Sequence, residues 1–156
     1  MDVLAVIGGW PGALWLQRSG TAYLFVNAAH ILGIALLLGS ILPLDLRLMG
    51  LFRTVPLAVI GPFLARAAAV GLTLAILTGL WLFSVNPVGY VANPAFLAKV
   101  GLLVLAIGNL GIVYASGSFQ TAMSDGRVSA GLRISAALSL MIWLGILIAG
   151  RWIGFL

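Results

Sequence analysis

Cysteine is absent from the chain, histidine occurs once, and only three side chains are acidic: Asp2, Asp45 and Asp125. Without cysteine there can be no disulfide, no iron–sulfur ligation by this chain and no thiolate copper or zinc site. None of the three aspartates is expected deep in an apolar core, and the sequence contains no nucleophile–base pair, phosphate loop or carboxylate dyad. Hydrolytic and phosphoryl-transfer chemistry therefore have little to work with. Charge as a whole is scarce, at 7% of residues against 63% hydrophobic, and the mean hydropathy is +1.22. Those values lie outside the range of soluble domains and define an integral membrane protein. The net charge of +5 comes from basic residues scattered along the chain. They form no stripe that would bind nucleic acid, and serve instead as topology signals.

Residues 1–19 are apolar but short, and Gly8, Gly9, Pro11 and Gly12 break them up. The segment cannot span a bilayer. It lacks the basic start and the cleavage site of a signal peptide. Trp10, Trp15, Gln17 and Arg18 favour a short helix lying in the membrane interface, the alternative being a disordered tail. Four spans follow, at about 22–43, 61–83, 94–115 and 130–155. The first stops at Leu42-Pro43 and leaves Asp45, Arg47 and Arg53 in a surface segment. The second opens at Gly61-Pro62, with proline in the first turn, and its Arg66 snorkels to the surface. The third is capped by Asn93 ahead of Pro94, and carries Lys99, Asn109 and the small residues Gly101, Gly108 and Gly111. A polar loop turning at Asp125-Gly126 leads to Ser129, a cap for the fourth span, on which Ser135, Ser139 and Trp143 recur every four residues as one seam toward the bundle. The expected fold is all-α: one membrane domain, a four-helix bundle with a short N-terminal interfacial helix.

Four spans put both termini on one side of the membrane. Arg47, Arg53, Arg66, Arg127 and Arg133 fall on the side of the first and third loops, whereas Arg18, Lys99 and Arg151 fall on the other. The positive-inside rule then places both termini outside, in a bacterial-type inner membrane.

The most informative stretch is Tyr23 to Leu42, an uncharged run of about 30 Å as a helix, because it contains His30. An imidazole inside hydrocarbon needs compensation and marks a candidate functional site. Asn27 and Gly33 flank it on one face, so a second helix or a flat cofactor can come close. Helices one and three both start at the outer surface, so His30 and Lys99 share the outer half, and Arg151 returns to that level with Trp81 and Trp152 near it. One imidazole beside two cations would suit a membrane cofactor with anionic groups: a metal ligand plus charge partners for carboxylates. The alternative is that Lys99 and Arg151 snorkel outward while His30 bonds a carbonyl, Ser or Asn across helices.

The segments AAHILGIALLLGS, FLARAAAVGLTLAILTGLWL and FLAKVGLLVLAIGN, with His30, Thr78-Gly79 and Lys99 as their most specific positions, resemble the four-helix membrane core of copper-resistance D domains and HemJ-type protoporphyrinogen oxidases. The resemblance covers roughly Ala22 to Asn109. It implies a haem b site, with His30 as an iron ligand and Lys99 as a partner of haem or substrate, and a role as a membrane oxidoreductase component or electron carrier. There are departures: no second histidine exists for bis-His ligation, and the fourth helix lacks the acidic and proline-containing signature of the HemJ-type enzymes, which argues against protoporphyrinogen oxidation. Met141 is then the candidate sixth ligand, with five-coordinate haem or a haem shared by two subunits as alternatives. Copper handling ranks second, because copper(I) prefers Cys and Met and the chain has four methionines and no Met-rich loop. A third reading is an accessory subunit of a larger membrane complex. A quinone or a redox protein would be the electron partner, and a homo-oligomer or a larger assembly the quaternary context.

Overall fold

The computed structural model describes residues 3–155. Eight α-helices follow in order: α1 Val3–Gly9, α2 Pro11–Arg18, α3 Gly20–Met49, α4 Leu57–Phe83, α5 Pro87–Ala92, α6 Pro94–Ala115, α7 Ser118–Asp125 and α8 Ala130–Trp152, with a 3-10 turn at Ile153–Phe155. The four longest, α3, α4, α6 and α8, are long and apolar enough to cross a bilayer. The chain is thus an all-α, multi-pass membrane bundle, as its composition requires.

The N-terminal segment is two short helices rather than one. Proline at the first position of α2 fixes its own φ and holds Trp10 extended, at ψ 153°, which breaks the helix between them. The pair is docked rather than disordered. Ala13 and Leu16 are buried, the Trp81 indole N–H donates to the Gly12 carbonyl (3.0 Å), and the Gln17 amide donates to the Val85 carbonyl (3.0 Å).

Helix α3 does not end at Pro43. It starts on the Ser19 side chain, which accepts from the Ala22 N–H, and runs for 30 residues to Gly50, whose φ of 106° suits a residue without Cβ. Proline removes a single N–H, from the carbonyl of Gly39, and its φ is helical. Against that small loss stands a buried stripe, Gly33, Leu37, Ser40, Leu44 and Leu48, which recurs at helical spacing on both sides of Pro43. Packing decides, and the extra turns carry Asp45 into the bundle. Helix α4 likewise begins earlier than the Gly61-Pro62 pair, directly after Pro56, leaving Pro62 inside the helix. The carbonyl deprived by Pro62 belongs to Ala58, which is exposed near the helix end and can be solvated there.

The predicted connections hold short helices. The Asp125-Gly126 turn is the C-terminus of α7, closed by Gly126 at φ 69°. Asn93 and Ser129 act as the caps expected of them: Asn93 accepts from Ala95 and Phe96, and Ser129 from Leu132.

The bundle is built from two pairs, α3 with α4 and α6 with α8, joined where α3 meets α8. The α3–α4 crossing is close because both partners are glycine. A Cβ on Gly33 would lie 2.8 Å from the Ala75 nitrogen, and one on Gly71 would strike the Leu37 backbone. Helices α4 and α6 are not packed along their length, and a cleft opens between them. Two apolar clusters fill the interior, one around Leu44, Leu48, Leu57 and Leu132, the other around Leu37, Ala68, Ala106, Ile142 and Trp143.

Candidate functional site

His30 and Lys99, 69 positions apart in the chain, line the same cavity of about 350 Å³. All four spanning helices contribute to it: His30, Ile34 and Leu37 from α3, Ala75 and Gly79 from α4, Phe96, Lys99 and Val100 from α6, and Trp143 and Ile146 from α8. The volume falls near the lower end of the range for small-molecule sites, and the wall is almost wholly apolar, with a few polar groups, as such sites are.

The imidazole is held in place by α4. Thr78 Oγ1 lies 2.6 Å from the Leu74 carbonyl oxygen and 3.0 Å from His30 Nδ1. A hydroxyl has one proton, and the short contact to Leu74 uses it, so Thr78 accepts from Nδ1–H. The neutral ring then keeps its lone pair on Nε2, the tautomer a metal ligand or hydrogen-bond acceptor requires. The next residue, Gly79, makes the approach possible: a Cβ there would stand 3.0 Å from His30 Cε1. Thr78-Gly79 is thus one device, a hydroxyl to orient the ring and a missing side chain to admit it.

Lys99 enters from the first turns of α6, and its stem lies over Gly150 of α8, where a Cβ would be 3.6 Å from Cδ and 3.7 Å from Nζ. Beyond it, Phe83 of α4 and Phe96 of α6 stack at 5.4 Å and 8°, with Tyr90 against both. This aromatic lid closes the His30 end of the cleft and leaves the opening on the side facing lipid, where Leu80 and Val100 are exposed.

The other expected residues are placed differently. Gly33 serves the α3–α4 crossing, so its close approach is made to a helix. Asn27 and Arg151 are not among the cavity's lining residues, and Arg151 lies 4.7 Å from the Phe155 ring, a cation–π contact. Met141 is 71% exposed on the outer face of α8, away from the wall formed by Trp143 and Ile146, so its thioether cannot meet a group held on His30 of the same chain. Among the described residues no three His, Cys, Asp or Glu cluster together.

Sequence reasoning left Asp45 at the surface, but it is 3% exposed, in the inner wall of a second cavity that also holds Asn109, Ser135 and Ser139. The signal was the apolar stripe of α3, whose spacing runs on past Pro43.

Fold and site together define a multi-pass helical membrane protein with one histidine-bearing cavity between its four spans. Residues 10–156 match the family of unknown function DUF6644, and the chain belongs to that family. No curated protein and no solved structure matches it.

Proposed function

We propose that the cleft holds a flat, amphiphilic redox cofactor, haem b foremost, and that the protein takes part in electron transfer or redox chemistry in a bacterial inner membrane, with the His30 end extracytoplasmic. The observation that carries this reading is the pairing, in one cavity, of an imidazole fixed through Nδ1 with a single lysine. The donor set fits the group. His30 would hold the iron through Nε2, Lys99 would balance the charge of a carboxylate, and the apolar remainder would line the faces of a macrocycle. Bound haem would supply a one-electron couple. The chain's own contribution would be to fix ligand orientation through Thr78, to balance charge through Lys99 and to exclude water with the Phe83–Phe96 lid. The unpacked α4–α6 seam is the element that would widen to admit the ring.

A copper site draws less support, because copper(I) takes soft ligands and this wall offers one imidazole and no thioether. A place in a larger assembly is compatible with the cofactor reading: α6 buries only Ala106, and lipid, a second copy or another subunit would cover the rest. A quinone or a redox protein would be the electron partner.

The test is the visible spectrum of the detergent-purified full chain. A Soret band, with alkaline pyridine converting the pigment to its haem b form, is the expected result. A colourless preparation from cells supplied with haem precursors would sink the proposal. Orientation is tested separately by reporters after Leu156 and near Gly126, which should read as extracytoplasmic and cytoplasmic respectively.

A further inference from the structure

We propose that Asp45 is a proton-binding site, a carboxyl that takes up and releases one proton at the end of the bundle opposite His30. This goes beyond the haem reading and does not depend on it. Asp45 lies one turn before the end of α3, 3% exposed, and its Oδ2 is buried without a hydrogen-bond partner. It lines a cavity of about 140 Å³, large enough for a few water molecules. A carboxylate so buried requires a positive charge, and the wall supplies none. Helix α4 presents alanines and Leu72, α7 presents Phe119, α6 has Asn109 and Tyr114 as its polar members, and α8 has Ser135 and Ser139. Tyr114 is the only other titratable group among them.

The nearby basic side chains are committed elsewhere. Arg47, two residues along α3, donates to the carbonyls of Val55 (2.8 Å) and Arg53 (3.4 Å), and Arg53 donates to that of Gly50 (2.9 Å). Arg66 of α4 and Arg133 of α8 are exposed. The missing charge must come from outside the chain, and the lining selects which cation. A metal ion needs several oxygens around it. Here the Asn109 amide is tied to the Ser135 carbonyl (3.0 Å), the Ser139 hydroxyl shares the wall with the carboxyl, and nearly everything else is hydrocarbon. A proton needs one oxygen. Hydronium would give its proton to Oδ2 and leave water, producing the neutral acid that an apolar wall tolerates.

Tyr114, in the last turn of α6, is 47% exposed and shares the cavity wall, so the proton would pass beside it at this end of the bundle. Toward His30, Leu37, Leu72 and Trp143 line both cavities and partition them.

Dicyclohexylcarbodiimide reads the protonated form directly. The acid's proton moves to a carbodiimide nitrogen as the carboxylate oxygen bonds the central carbon, and no group is lost. On the full-length protein in detergent, peptide mapping by mass spectrometry should find Asp45 labelled, Asp125 unlabelled, and the rate falling toward about tenfold per pH unit at alkaline pH. Infrared difference spectra on a pH step should show a carboxylic C=O band that is lost in Asp45→Asn. In Ser139→Ala, where the acid is retained, the band should shift, so a folding defect in the first variant does not decide the matter. An Asp45 that is unlabelled and shows no acid band at any pH overturns the proposal. So does labelling that sodium suppresses at constant pH, which would identify a metal-cation site instead.

Discussion

The two cavities place a polar side chain from the same helix in apolar surroundings and treat it in opposite ways. His30 and Asp45 are 15 residues apart on α3, about 22 Å along the axis. At the His30 end one ring nitrogen is satisfied by Thr78, a cation stands in the same cavity, and the α4–α6 cleft opens sideways. At the Asp45 end one oxygen has no partner and no basic group lines the wall. A neutral imidazole with one bond made is a prepared ligand, whereas an unpaired carboxyl is a group to be neutralised. The contrast explains why the cofactor is assigned to the first cavity and the proton to the second, although both are walled mainly by hydrocarbon.

The comparison is broken most severely by removing His30. In His30→Ala the chain has no imidazole left, and haem content per protein should fall to background or the spectrum should change to that of weakly ligated iron, measured by pyridine haemochrome on protein purified by size exclusion. Labelling of Asp45 should be unchanged, since the Leu37–Leu72–Trp143 partition separates the two sites. Unaltered haem content and spectrum in His30→Ala would remove the ligand assignment.

Next in size is Lys99→Met. A charge-assisted contact is worth about 1.5–3 kcal/mol, so haem retention should weaken by roughly 10- to 100-fold while the spectrum of the haem still bound stays the same. Lys99→Arg should be milder, although the two cations differ in shape. A change in the iron-coordination spectrum of Lys99→Met would mean that lysine is a ligand, not a counter-charge.

Thr78→Val tests the orientation of the imidazole. Its hydroxyl is the partner of Nδ1, and loss of such an outer partner lowers metal affinity by about 10-fold at the low end of the usual range. Thr78→Ser retains the oxygen and should restore most of it. Equal loss in both variants would mean that the methyl group, through packing on α3, is what matters.

The fold and half of this site were legible in the sequence because each rests on local pattern. Uncharged runs of span length, the Asn93-Pro94 and Ser129 caps, and the Ser135–Ser139–Trp143 seam are short-range signals, and the structure has each of them. The common level of His30 and Lys99 followed from counting residues along two helices that start on the same side of the membrane. Pro62 misled because a proline suits a first turn, yet it is also tolerated a turn further in, where the carbonyl it frees, on Ala58, is exposed; Pro43 misled because proline is a strong local breaker, but a single lost hydrogen bond yields to a stripe of buried contacts that only the tertiary fold reveals. Asp45 was misplaced by that same error. Met141 was considered for its depth, and depth says nothing of azimuth. Residues at equal height on a helix can face the bundle or the lipid.

That distinction gives the smallest effect. Met141 is 71% exposed, two residues before the buried Trp143, on the face of α8 turned from the cleft. If haem is bound within one chain, Met141→Ala should leave haem content, the oxidised and reduced spectra and the reduction potential as they are in the wild type, because no rotamer carries the thioether across the helix. The same outward exposure makes Met141 available to a second copy. Haem shared between two subunits therefore predicts the reverse: Met141→Ala would change the reduced spectrum, and the change would disappear in protein held monomeric by dilution in detergent. An unchanged spectrum in Met141→Ala, together with loss of haem in His30→Ala and an unchanged iron-coordination spectrum in Lys99→Met, would leave His30 as the one residue of the chain that holds the iron.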